Sequence, residues 1–229
     1  LKDIRDRIKS VKSIQKVTKA MKMVAAAKMR KAQERMEQAR PYSKSLSEII
    51  EHLLPDVDRD SLTLLQVREI KRKAYVVVSA DRGLAGAFNT NLLKIAQREI
   101  DEFGRENVDI FCIGKKARDH FNYRNYNVID SHIEFWAEME FENAMMIGRS
   151  VIDHFTSGSV DEIHVVYNYF TNIAQQEVKS ETLLPLSYDE GEYTVSDRLY
   201  EPSKEELVEA LIPSCLLYTS DAADETVRV

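Results

Sequence analysis

The chain has 229 residues, of which 44% are hydrophobic and 31% charged, with a formal net charge of −6. That length allows one large domain, or one domain with an appendage, and the apolar content supports a packed core. Two distant cysteines, Cys112 and Cys215, without CxxC or Cys/His pairs at ligand spacing, argue against a zinc site or a disulfide framework, and no apolar run reaches the ~18 residues of a membrane span.

Charge is unevenly placed. The first forty residues hold no Gly or Pro and carry thirteen Lys/Arg against four Asp/Glu, a local charge of +9. The rest of the chain therefore sums to −15. Apolar residues at Leu1, Ile4, Ile8 and Val11, then at Ile14, Val17, Met21 and Val24, step by three and four as in a coiled-coil seam. The step from Val11 to Ile14 repeats a three, which reads as a stammer that overwinds the supercoil. Ala25, Ala26 and Ala27 allow close approach of a partner helix. Pro41 is expected as a kink or short break; periodicity resumes at Leu46, Ile49, Ile50, Leu53 and Leu54, and Pro55 ends it. A helix over 1–55 would span ~80 Å at ~1.5 Å per residue, longer than a small domain is wide. Its seam calls for a partner helix. The competing readings are an amphipathic helix packed on its own domain, or a basic helix for nucleic acid or an anionic membrane. Against the last stand the absence of aromatics before Tyr42 and the acidity of the remaining chain.

Residues 56–72, opening with Asp56, Asp58, Arg59 and Asp60, read as a polar linker. Strands are expected at 74–78, 108–113, 127–133, 162–169 and 175–184, with helices ending near Phe103 and Phe121 and another over 142–155. This alternation predicts a doubly wound, Rossmann-like α/β domain over 73–200. Residues 201–214 look like the start of a C-terminal helix.

The segment SADRGLAGAFN, Ser79–Asn89, joins the first strand to a helix, the geometry that cradles phosphate. Yet Gly83 and Gly86 are not spaced as GxGxxG, and no Gly-Lys-Ser/Thr follows. A structural turn that needs positive φ and a helix cap accounts for both glycines, and Asp81 and Arg82 are expected to pair with each other or with neighbours. A nucleotide-binding enzyme using this turn stays as the alternative. His52, His120, His132, His154 and His164 share no metal spacing, and there is no GxSxG. His164 is expected in sheet-face packing. The acidic stretch Glu134–Glu142 around Trp136 suits a solvated or docking face. No catalytic residue, metal or cofactor is expected.

Three motifs, in register along 1–213, carry a family resemblance. IQKVTKAMKMVAAAKMRKAQ, Ile14–Gln33, resembles the N-terminal helix of the gamma subunit of F-type ATP synthase. SADRGLAGAFN resembles that family's turn after its first strand, with Ala85 where Cys is often written. SETLLPL, Ser180–Leu186, resembles the segment after its last strands. The resemblance implies a non-catalytic rotor. N- and C-terminal helices form an antiparallel coiled coil inside an alpha3beta3 hexamer, and the α/β domain sits outside near the epsilon subunit and the membrane c-ring. It implies that Lys16, Lys19, Met21, Lys22, Met23, Lys28, Arg30 and Lys31 face the alpha/beta collar, and that Arg40, Pro41, Tyr42 and Ser43 face epsilon or the ring. It further implies a peripheral place on the cytoplasmic face of a bacterial plasma membrane, without nucleic acid. Family members continue in a long C-terminal helix. Here CLLYTSDAADE, Cys215–Glu225, resembles translated sequencing adapter, and 215–229 is expected to be a non-native tail on a truncated chain.

Overall fold

The computed structural model describes residues 2–53, 62–83, 86–134, 141–172 and 175–186. The 215–229 tail, the 201–214 helix start and Trp136 lie outside the described residues.

Helix α1 runs from Lys2 to Leu53 without interruption, close to the expected extent. Pro41 lies inside it. Proline forfeits one hydrogen bond to the preceding turn, which a helix of this length absorbs locally.

The remaining elements build one five-stranded sheet: β1 (Lys73–Val78), β2 (Val108–Ile113), β3 (Val128–His132), β4 (Glu162–Asn172) and β5 (Gln175–Leu184). Their order is β3-β2-β1-β4-β5. The first four are parallel and β5 returns antiparallel to β4. This is the doubly wound arrangement expected, with its switch point between β1 and β4. Central strands β1 and β2 are almost continuously apolar because both of their faces are covered. On one face α2 (Phe88–Phe103) and α3 (Lys115–Tyr123) set Leu92, Ala96, Ile100, Ala117 and Phe121 against Tyr75, Val77, Ile110 and Cys112. On the other, α4 (Phe141–Thr156) sets Ile147, Val151 and Phe155 against Val76, Val78, Phe111 and Val165.

One expectation needs correction and a second is narrowed. The expected linker is partly core: Leu62, Leu64 and Leu65, around a short 3-10 turn, are buried with the α4 face. Burying three leucines outweighs the polar composition of the residues before them. Among the described residues of the turn after β1, only Gly86 has positive φ, at 57°. Gly83 does not, and a Cβ there would make ordinary contacts with Lys116 at 3.5 Å.

Edge strand β3 carries a bulge. Ile110 pairs with Val128 and Phe111 with Asp130, so Ile129 is the extra residue. Such a bulge also blunts an edge against pairing with other strands.

Candidate functional site

The turn after β1 is closed by its own side chains. Asn89 at the start of α2 accepts from the Ala80 amide at 3.0 Å and donates to the Arg82 carbonyl at 3.3 Å. Asp81 accepts from the Lys115 amide at 2.7 Å, not from Arg82. Ser79 Oγ accepts from the Ala117 amide at 2.8 Å. The N-terminus of α3 is thus filled by the protein's own carboxylate and hydroxyl. Gly114 makes this closure possible. Its φ is 95°, and a Cβ there would lie 2.0 Å from the Ser79 carbonyl oxygen. Neither Asn89 nor Gly114 was singled out from the sequence, although a Gly ending a buried strand is a signal for such an approach.

Other polar clusters are structural. Asp109, buried in β2, accepts from Arg72 at 2.8 Å and Asn127 at 2.6 Å and faces His154 Nε2 at 2.8 Å. Glu162 lies 2.7 Å from Lys73 and 3.0 Å from His164. Burial alone would raise its carboxyl, but hydrogen bonds from Lys73 and His164 hold it below the ordinary value. His164 stacks on Tyr75 with ring centroids 5.1 Å apart, as sheet-face packing requires. Burial and the neighbouring Glu99, Glu162 and Glu102 push the Tyr75 hydroxyl up to about 12. The bulge at Ile129 turns Asp130 toward α4, where it accepts from Ser150 at 3.4 Å and faces His132 at 3.0 Å. Serine and histidine both address the aspartate rather than each other, so no nucleophile–base pair forms. No group of three or more His, Cys, Asp or Glu able to hold a metal occurs among the described residues.

What remains is the surface of α1. Every residue from Lys2 to Lys28 is exposed, a stretch of roughly 40 Å at ~1.5 Å per residue. Burial begins where Met29 and Gln33 become half-buried and Ala32 falls to 4% exposure. That sets the phase of the helix. Counting back from Ala32 and Met29 by fours and threes reaches Ala25, Lys22, Thr18, Gln15, Val11, Ile8 and Ile4. Ile14, Val17, Met21 and Val24 lie on a different face. The residues expected at a collar are all exposed but do not share one face. At about 100° per residue, Lys16, Lys19, Met23 and Arg30 fall on one side, Met21, Lys28 and Lys31 roughly 130–140° round from them, and Lys22 on the Ile4 column. Arg30 pairs with Glu34 at 3.0 Å, a solvated contact of little energetic weight. Arg40, Tyr42 and Ser43 have helical backbone, with side chains outside the described residues, and Pro41 is exposed.

A family profile described as ATP synthase matches residues 1–219. The ATP synthase gamma chain of Chloroherpeton thalassium is 39% identical over 254 residues, covering 100% of this chain and 84% of that protein. The chain belongs to the ATP synthase gamma family. The gamma chain of Flavobacterium psychrophilum is 41% identical over 219 residues, covering 94% of this chain and 76% of its own length. The central stalk of the Tetrahymena thermophila mitochondrial ATP synthase, 20% identical, superposes with a TM-score of 0.72 over 93% of this chain and 92% of that one, so the fold is shared. The family match runs past Cys215, where the non-native tail was expected to begin. For a gamma chain, a long exposed α1 beside a sheet domain of doubly wound topology is coherent. No described helix is long and apolar enough to cross a membrane.

Proposed function

We propose that this chain is the central-stalk rotor subunit of an F-type ATP synthase, coupling ion flow through the membrane ring to ATP synthesis on an alpha3beta3 hexamer. The observation that carries the reading is α1. Its first 27 described residues, Lys2–Lys28, are all exposed, although the helix is part of a chain with a well-packed core. A helix that stands out in this way, rich in both cations and apolar side chains, is built to be surrounded. The chain itself is non-catalytic in this reading, and ATP is made on the hexamer. The α/β domain stays outside the hexamer, near epsilon and the c-ring, with the Arg40–Ser43 part of α1 facing them. The complex lies on the cytoplasmic face of a bacterial plasma membrane.

Lysines suit such a surface because rotation needs repeated, weak, screened contacts rather than one deep lock. Met21 and Met23 add apolar contact that adapts to a changing partner. Reversing charge at Lys19 or Lys22 is expected to weaken coupling between ATP turnover and ion pumping in the assembled complex. Both rates are measured in membrane vesicles, one by phosphate release and one by a pH-sensitive dye. Coupling that stays at the wild-type ratio in both variants removes the collar assignment.

A further inference from the structure

Hydrogen bonds of one direction run from the end of α3 to α2. Gln97 on α2 donates through Nε2 to Asp101 at 3.4 Å, which leaves its Oε1 facing His120 Nε2 on α3, 2.9 Å away. An amide oxygen only accepts, so His120 Nε2 carries a proton. On the other side of the ring, Arg124 Nη1 lies 3.2 Å from His120 Nδ1. A guanidinium only donates, so Nδ1 presents its lone pair. Both contacts are met together by one form of the ring, the neutral imidazole with its proton on Nε2. The donors then run from Arg124 to His120 to Gln97 to Asp101, where Tyr126 also donates its hydroxyl at 2.6 Å.

The same ring holds the end of α3. Arg124 follows the last helical residue, Tyr123, and its Nη1 also donates to the His120 carbonyl at 3.1 Å. A cation there satisfies one of the carbonyls left open at a helix end and suits the negative end of the dipole. The chain then turns sharply. Asn125 has a φ of 55°, and the Tyr126 amide returns to the Phe121 carbonyl at 3.1 Å. Arg124 is exposed, so its side chain has water to move into.

A proton taken up at Nδ1 turns that acceptor into a donor. It sets N–H against N–H, and cation against cation, at a spacing of 3.2 Å. The bond to Gln97 survives, because Nε2 still donates. Other charged groups lie on the elements packed around the ring. Lys94, Arg98, Asp101 and Glu102 belong to α2, Arg118 and Asp119 to α3, and Arg105 and Tyr126 to the flanking turns. Arg98 pairs with Glu102 and Arg118 with Asp119, and Asp101 is taken by Gln97 and Tyr126. Arg105 stacks over Tyr126 and donates to the Arg124 and Asn125 carbonyls. Burial, and then Arg124, disfavour the charged imidazole and hold its pKa below 6.5.

We propose that His120 is an acid-operated latch: neutral, it binds Arg124 and closes the end of α3, and protonated, it releases Arg124 and loosens the Asn122–Tyr126 turn while Gln97 keeps the helix anchored on α2. The latch is closed above pH 6.5 and opens as the pH falls below it.

The test is NMR of the full chain, labelled with 15N at histidine and arginine and titrated from pH 8 to pH 5. At the alkaline end the ring nitrogens of His120 are expected to report the Nε2–H tautomer. On acidification the Arg124 side-chain signal should shift with the same midpoint as His120. A neutral ring protonated on Nδ1, a midpoint above 6.5, or an Arg124 signal that ignores the titration overturns the proposal. Hydrogen exchange of the Asn125 and Tyr126 amides, corrected for intrinsic rates, should show a several-fold loss of protection between pH 7 and pH 5. His120→Gln cannot take up the proton and should abolish that loss; a loss of wild-type size in this variant overturns the latch. Should His120→Gln not fold, Arg124→Gln at the exposed position tests the same coupling. It is expected to raise the His120 midpoint and remove the acid-dependent loss, and if neither changes the proposal fails.

Discussion

Replacing Asp109 by alanine tests whether the polar hub beneath the sheet organises the α/β domain. Asp109 is 4% exposed, and its oxygens meet Arg72 at 2.8 Å, Asn127 at 2.6 Å and His154 at 2.8 Å. These partners come from the segment before β1, the turn before β3, and the last turn of α4, so one carboxylate joins three separate pieces of chain to β2. Removing one member of a buried pair costs about 3–5 kcal/mol. The Arg72 side chain is 43% exposed and can recover water, which favours the lower end, about 3 kcal/mol. Amides of β2 sit in the middle of the sheet, where exchange with solvent requires the domain to open. At 1.4 kcal/mol per factor of ten, their hydrogen-exchange protection should fall about a hundredfold in Asp109→Ala. Asp109→Asn keeps the shape and one acceptor, and should lose clearly less. A fall of under tenfold for Asp109→Ala would refute the idea that these contacts hold the domain together.

Gly114→Ala should destabilise by more than about 3 kcal/mol, since the new methyl meets the Ser79 carbonyl in a left-handed backbone. Gly83→Ala should stay within roughly 0.5 kcal/mol of wild type, and urea midpoints compare the two. His120 is held below its ordinary 6.5, first by burial and then by Arg124. The unfolded chain therefore takes up this proton more readily, so stability is full above pH 6.5 and falls as pH drops from there toward the folded value. His120→Gln should flatten that part of the pH–stability curve, and an unchanged slope would assign it to another group. Burial pushes the Cys112 thiol up to about 12. Native protein at pH 8 should leave Cys112 unmodified by iodoacetamide until urea opens the domain, as peptide mapping would show.

Much of the fold was legible because its signals are local. Val108–Ile113 was bounded correctly, since six buried residues between a polar turn and a glycine leave a strand little alternative. The hairpin partner 175–184 was found from alternation over ten residues. Leu62–Leu65 was missed because three leucines after an acidic stretch have no periodicity of their own; only the sheet face they cover makes them core. Asp109, the lone carboxylate in an apolar strand, was not singled out from the sequence. Its partners lie 18, 37 and 45 residues away, beyond any local pattern. The phase of α1 was ambiguous for a different reason. Both apolar sets step by three and four, so spacing alone made them one stammered seam, and the burial of Ala32 separated them.

By itself, then, the sequence determined the long basic helix, the alternation of strands and helices, and the motifs that mark the gamma family, because each depends on residues close together along the chain. Which side of α1 turns inward, which glycine the turn cannot lose, and what fills the α3 N-terminus were decided only by the tertiary structure. Those depend on atoms brought together from distant segments, such as Asp81 at the Lys115 amide and Ser79 against Gly114, whose meeting follows from strand order rather than from local spacing.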